Sequence, residues 1–160
     1  MILRICLAVA LAMAAIVGAI SARAETYAGH PTVIDGDTIK IGRYKIRMHG
    51  IDAPEINQPC YSYTTLVPCG MWAKAALVQF IAENMVFCKI QGRGKYGRFI
   101  GKCYVGEHDL QAAMVQAGWA VAYTQYSNDY YEDQTRAYLR SAGMWAYRFD
   151  YPHQWRRAKR

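Results

Sequence analysis

Three short stretches carry the residue types that act on charged substrates. Asp35-Gly36-Asp37-Thr38 sets two carboxylates around a glycine, and Asp52-Ala53-Pro54-Glu55 supplies two more. Arg47 lies between them, and Lys95-Tyr96-Gly97-Arg98 brings a second arginine. Carboxylate oxygens are hard ligands that suit Ca²⁺ or Mg²⁺ rather than zinc or copper. An arginine fork matches the oxygens of a phosphate bidentately. A glutamate beside a cation and a phosphate can deprotonate or orient a water. Asp37, Asp52, Glu55, Arg47 and Arg98 are together the inventory of a metal-assisted phosphodiesterase.

Each piece alone also has an ordinary explanation. Asp-Gly is common turn chemistry. Asp-Ala-Pro-Glu can merely end a strand, and a lone arginine usually sits on the surface. His49 falls on the polar parity of its segment, where it could serve as a base or stand by. His30, His108 and His153 have no Cys or His at ligand spacing. The 13 tyrosines could stack on bases or cover the edge of the core. Only the combination points to catalysis.

The elements that must position these groups can be read from periodicity. Ile39 and Ile41 alternate with Lys40, and Tyr44, Ile46 and Met48 alternate with Lys45, Arg47 and His49. This period of two predicts strands with one buried face, joined tightly at Gly42-Arg43. Val86, Cys88 and Ile90 continue the pattern, as do Phe99, Gly101, Cys103 and Val105, around a turn at Gly92–Gly97. Three helices are expected. The first spans about 70–84, with Ala73, Leu77, Phe80 and Ile81 on one face. The second carries Leu110, Ala113, Met114 and Ala117 and ends at Gly118. The third, opened by Asn128 and stopped by Gly143, has Tyr131, Thr135, Tyr138, Leu139 and Ala142 along one line. The order predicts a single α+β domain over 25–150 with a small closed sheet. Residues 151–160 read as a basic, loosely held tail.

The chain has 160 residues, a net charge of +7 and 53% hydrophobic residues, which excludes a disordered chain and favours an anionic partner. Much of that hydrophobicity lies in residues 1–24. Met1–Arg4 is a short basic start, Ile5–Ile20 an unbroken apolar run, and Ser21-Ala22-Arg23-Ala24 offers small residues at cleavage spacing. The segment reads as a signal peptide, with an uncleaved anchor as the alternative. Export is therefore expected, to the periplasm or the medium, with no membrane attachment after cleavage. Cys60, Cys69, Cys88 and Cys103 remain, an even number that suits disulfides in an oxidising compartment. Four cysteines allow three connectivities. Cys60 and Cys69 bracket a loop, whereas Cys88 and Cys103 lie on segments that would pair across a hairpin. The expected bridges are 60–69 and 88–103.

Taken in order, four motifs resemble the staphylococcal nuclease (thermonuclease) family. They are Val33-Ile-Asp-Gly-Asp-Thr38, Tyr44-Lys-Ile-Arg-Met-His-Gly-Ile-Asp-Ala-Pro-Glu55, Lys95-Tyr-Gly-Arg98 and Leu110-Gln-Ala-Ala-Met-Val-Gln-Ala-Gly118. The cysteines look like those of exported Gram-negative members. The resemblance implies a five-stranded OB-fold β-barrel with three α-helices. It implies Asp37, Asp52 and the Ala53 carbonyl as Ca²⁺ ligands, with Arg47, Glu55 and Arg98 as catalytic residues. It also implies that Lys95, Tyr96 and Tyr123 contact nucleotides. The implied protein is a monomeric, Ca²⁺-dependent hydrolase of DNA and RNA that leaves 3′-phosphate ends. Ala53 stands where the family has threonine, and the Cys60–Cys69 segment replaces the family's mobile loop.

Overall fold

The structure, a computed structural model, describes residues 25–159, so the segment 1–24 expected to be a signal peptide lies outside the described residues. Six strands form the ring of the main sheet: β1 (Thr26–Gly29), β2 (Thr32–Val33), β3 (Thr38–Ile41), β4 (Tyr44–Met48), β8 (Val86–Arg93) and β9 (Phe99–Val105). Their order is β1-β8-β9-β4-β3-β2. Only His30 and Pro31 separate β1 from β2. One bent strand thus pairs with β8 at one edge and β3 at the other, and closes the ring. This is the expected five-stranded OB-type barrel. Closure pairs both edges of this ring among the described residues.

The alternating residues behave as anticipated. Ile39, Ile46, Met48, Val86 and Phe99 fill the barrel while Lys40, Lys45 and Lys89 face solvent. Short pairs complete the framework: β5 (Ile51–Asp52) with β11 (Val121–Ala122), β6 (Cys60–Tyr61) with β7 (Leu66–Val67), and β10 (His108–Asp109) with β9. Both expected disulfides are present. Cys60–Cys69 encloses the β6–β7 hairpin, with Cα atoms 5.6 Å apart. Cys88–Cys103 joins directly opposed residues of β8 and β9.

The three expected helices are α1 (Cys69–Ile81), α2 (Leu110–Gln116) and α3 (Tyr131–Leu139). α1 buries Ala73, Leu77 and Ile81, and α2 buries Leu110, Gln111, Met114 and Val115. α3 differs from expectation in its face. Tyr131, Tyr138 and Leu139 are exposed, and the helix buries Asp133 and Ala137. Polar anchoring overrode the apolar stripe: Asp133 accepts from Gln116, and the Gln134 side chain accepts from the Ala122 N–H. A fourth helix, α4 (Pro152–Ala158), occupies the segment expected to be a loose tail. Pro152 is buried at its first turn, where a proline costs no hydrogen bond. Among the described residues no helix is long and apolar enough to cross a membrane.

Candidate active site

The β3–β4 hairpin sets the first half of the site. Thr38 pairs with Arg47 at the open end of the hairpin, which places Asp37 beside the arginine. β5 pairs with β11 and brings up Asp52 opposite Val121. Gly36 permits this approach, because a Cβ there would lie 2.7 Å from the Ala53 Cβ and 2.9 Å from that of Ala73. Asp37 is 2% exposed and Asp52 fully buried. Asp37 Oδ1 accepts from the Thr38 hydroxyl at 2.8 Å, and Oδ2 from the Ala53 N–H at 2.9 Å. Arg47 Nη2 stands 2.9 Å from Asp37 Oδ2 and 2.5 Å from Asp52 Oδ1.

Two carboxylates from distant turns thus converge on one cationic nitrogen. Asp35 is a third acid in the patch, its Oδ1 accepting from the Asp37 N–H at 3.1 Å. Burial, and then the charge of Asp37, pushes both Asp35 and Asp52 up to about 6. Burial opposes the Arg47 charge, but Asp37 and Asp52 outweigh it and raise that group's proton affinity. No three His, Cys, Asp or Glu side chains stand in ligating geometry among the described residues. The donor set of Asp37 and Asp52 nevertheless fits a hard divalent cation. Its ligands are oxygens, and it gathers negative charge that burial makes costly.

Glu55 is held from its backbone outward. Its carbonyl accepts from the Gln58 N–H at 2.7 Å, and its N–H donates to Gln58 Oε1 at 3.3 Å. Gly70 at the start of α1 packs so closely that a Cβ would fall 1.8 Å from the Glu55 carbonyl oxygen. The carboxylate is met by a residue that the sequence reading left in the tail. Arg156 Nη1 donates to Glu55 Oε1 at 2.9 Å, and Nη2 lies 2.9 Å and 3.0 Å from the two oxygens of Asp52. The run Arg156-Arg157-Ala158-Lys159-Arg160 carries no local sign that one of its arginines is internal. His153, on the same helix, has Nδ1 4.0 Å from Asp52 Oδ2.

The other expected residues are distributed as follows. Arg98 follows the 3-10 turn Lys95–Gly97 and leads into β9. β9 runs parallel beside β4 with Ile100 opposite Arg47, so Arg98, two residues earlier, shares Arg47's face. Its Nε is buried without a hydrogen-bond partner among the described residues. Tyr96 is 87% exposed at the tip of that turn, and the Lys95 side chain lies outside the described residues. Tyr123 follows β11 and stacks on His153, ring centroids 5.8 Å apart. His49 is not part of the cluster. Burial lowers its pKa, and the charges of Asp129 and Lys102 act on it in opposite directions.

An OB-type barrel that gathers buried carboxylates, a glutamate and arginines beside one hairpin defines a class of proteins suited to a hard cation and an anionic substrate. The chain belongs to the staphylococcal nuclease family, since the family model described as staphylococcal nuclease homologue matches residues 45–147. It is 34% identical over 126 residues to a succinoglycan biosynthesis protein of Rhizobium meliloti, covering 76% of this chain and 66% of that protein. It is 30% identical over 136 residues to an uncharacterized endonuclease of Haemophilus influenzae, covering 80% and 71%. A probable staphylococcal-like nuclease of Oryza sativa subsp. japonica is 30% identical over 128 residues, 78% of this chain but 36% of that protein.

Proposed function

We propose that the chain is an exported, Ca²⁺-dependent nuclease that hydrolyses phosphodiester bonds of DNA and RNA and leaves 3′-phosphate ends. One observation carries the reading. Asp37 Oδ2 and Asp52 Oδ1 meet at a single cationic nitrogen, with Glu55 linked to the same Asp52 through Arg156. Asp37, Asp52 and the Ala53 carbonyl are the groups that would hold Ca²⁺, which supplies positive charge at the phosphate and acidifies water. Arg47 and Arg98 donate to the non-bridging phosphate oxygens and offset the charge that grows there in the transition state. The buried Arg98 Nε, without a partner among the described residues, is a donor that such an oxygen would satisfy. Glu55 accepts a proton from the attacking water or orients it toward phosphorus.

Lys95 and Tyr96 contact flanking phosphate, and Tyr123 offers a ring to a base. Phosphate contacts carry no base information, so sequence preference is weak. The two disulfides support an oxidising compartment and therefore export. The test is degradation of circular DNA and of RNA by purified protein in Ca²⁺, in Mg²⁺ and in chelator, with mapping of product ends. Cleavage in Ca²⁺ that stops in chelator is expected. Binding without cleavage under every condition would instead identify a non-catalytic nucleic-acid-binding barrel.

A further inference from the structure

We propose that Arg156 is a third active-site arginine, a positioning residue that α4 supplies to hold Glu55 against Asp52; the proposal rests on the nuclease reading. The guanidinium spans both acids. Nη1 bonds Glu55 Oε1 at 2.9 Å, while Nη2 reaches both oxygens of the fully buried Asp52. The Glu55 side chain is 33% exposed and carries rotamer freedom that this contact removes. Reacting groups gain rate from being held within a fraction of an ångström of the productive geometry, and a shift of about 1 Å can cost on the order of 10²-fold.

The placement of α4 is itself built into the site. Gln58 is 1% exposed and has two duties: its Oε1 accepts from the Glu55 N–H, and its Nε2 donates to the Asp150 carbonyl at 2.7 Å. One side chain therefore sets both the backbone of Glu55 and the approach to α4. The stack of His153 on Tyr123 and the buried Pro152 also tie the first turn of the helix down. Arg157, next along, is exposed and provides a charge control.

The experiment is steady-state kinetics of Arg156→Gln, Arg156→Lys and Arg157→Gln on DNA with saturating Ca²⁺, with folding followed by thermal melts. Arg156→Gln should lower kcat by about 10- to 100-fold and leave KM within about threefold. Arg156→Lys should fall between, because an ammonium keeps the charge but cannot hold two carboxylates in a fixed fork. Arg157→Gln should match the wild type. If the glutamine variant does not fold, the lysine variant decides, and an unchanged kcat overturns the proposal. A kcat that rises in Arg156→Gln also overturns it and makes the contact a plug on Asp52 and Glu55. A loss confined to KM, or shared equally by Arg157→Gln, reduces Arg156 to general charge. A wild type inert on DNA and RNA defeats the nuclease reading instead, which the variants cannot do.

Discussion

The molecule contains two polar clusters built from similar residues, and they are in opposite electrostatic condition. In the first, Asp109 Oδ1 caps α2 by accepting from the Gln111 and Ala112 N–H groups, and Oδ2 accepts from the Tyr130 hydroxyl at 2.9 Å. Gln111 continues the network to the Cys103 N–H. Beside it, a hydrogen bond from Lys102 lowers the pKa of Asp129. Each acid there has its own donors. In the second cluster Asp37, Asp52 and Glu55 share the guanidinium groups of Arg47 and Arg156, Asp35 stands beside Asp37, and burial drives Asp35 and Asp52 upward. The first arrangement is complete within the chain and builds structure. The second leaves negative charge that a cation or a substrate-bound state would complete, as expected where function shifts proton affinities.

The sharpest way to break the contrast is Arg98→Ala. It should reduce nuclease activity by on the order of 10³-fold or more while leaving the melting curve in place. Activity within about tenfold of wild type would remove Arg98 from the machinery. Asp109→Ala is the mirror case. Losing a helix cap and leaving the buried Tyr130 hydroxyl without its acceptor should cost about 2 kcal/mol in urea unfolding. Activity per folded molecule should not change, and a catalytic defect would undo the division between clusters.

A subtler test uses pH in the presence of chelator. Asp52 ordinarily titrates near 3.8 and is raised to about 6 in the fold. The native state then binds the extra proton, so this contribution to stability is complete below about pH 3.8 and is lost as pH rises through about 6. The wild type should lose on the order of 1 kcal/mol relative to Asp52→Asn between pH 4 and pH 7. A difference that is flat, or that rises with pH, would show Asp52 to be a well-satisfied carboxylate like Asp109. The smallest effect belongs to Lys102→Met. The Lys102–Asp129 pair is partly solvated, so its removal should change stability by less than about 1 kcal/mol and less still in high salt.

Much of this architecture was legible before the fold was known. The period-two residues Ile39, Ile41, Ile46, Met48, Val86 and Cys88 gave strand faces correctly, because a closed barrel imposes one inside on every strand. Cys88 and Cys103 were readable as partners because hairpin pairing sets residues directly opposite one another. Asp37, Arg47 and Asp52 were readable as a group, and the structure joins them. Other features had no local signal. α3 turned its Tyr131–Tyr138–Leu139 line to solvent because Asp133 and Gln134 found hydrogen-bond partners on α2 and β11. Asp35 looked like turn chemistry, and only burial beside Asp37 makes it part of the charged patch. Arg156 lay in a basic run that composition alone reads as a solvated end.

The sequence by itself determined which chemical groups were on hand, which segments alternated and which cysteines could meet. These follow from residue type and spacing along the chain. Tertiary structure alone decided that β1 and β2 act as one strand closing the ring, and that α4 returns from the end of the chain to the acids near its beginning. Arg156 and Glu55 are separated by 101 positions, and the contact exists because Gln58 fastens Asp150 and Glu55 to the same place. Such a contact depends on packing between distant segments, which no local pattern encodes.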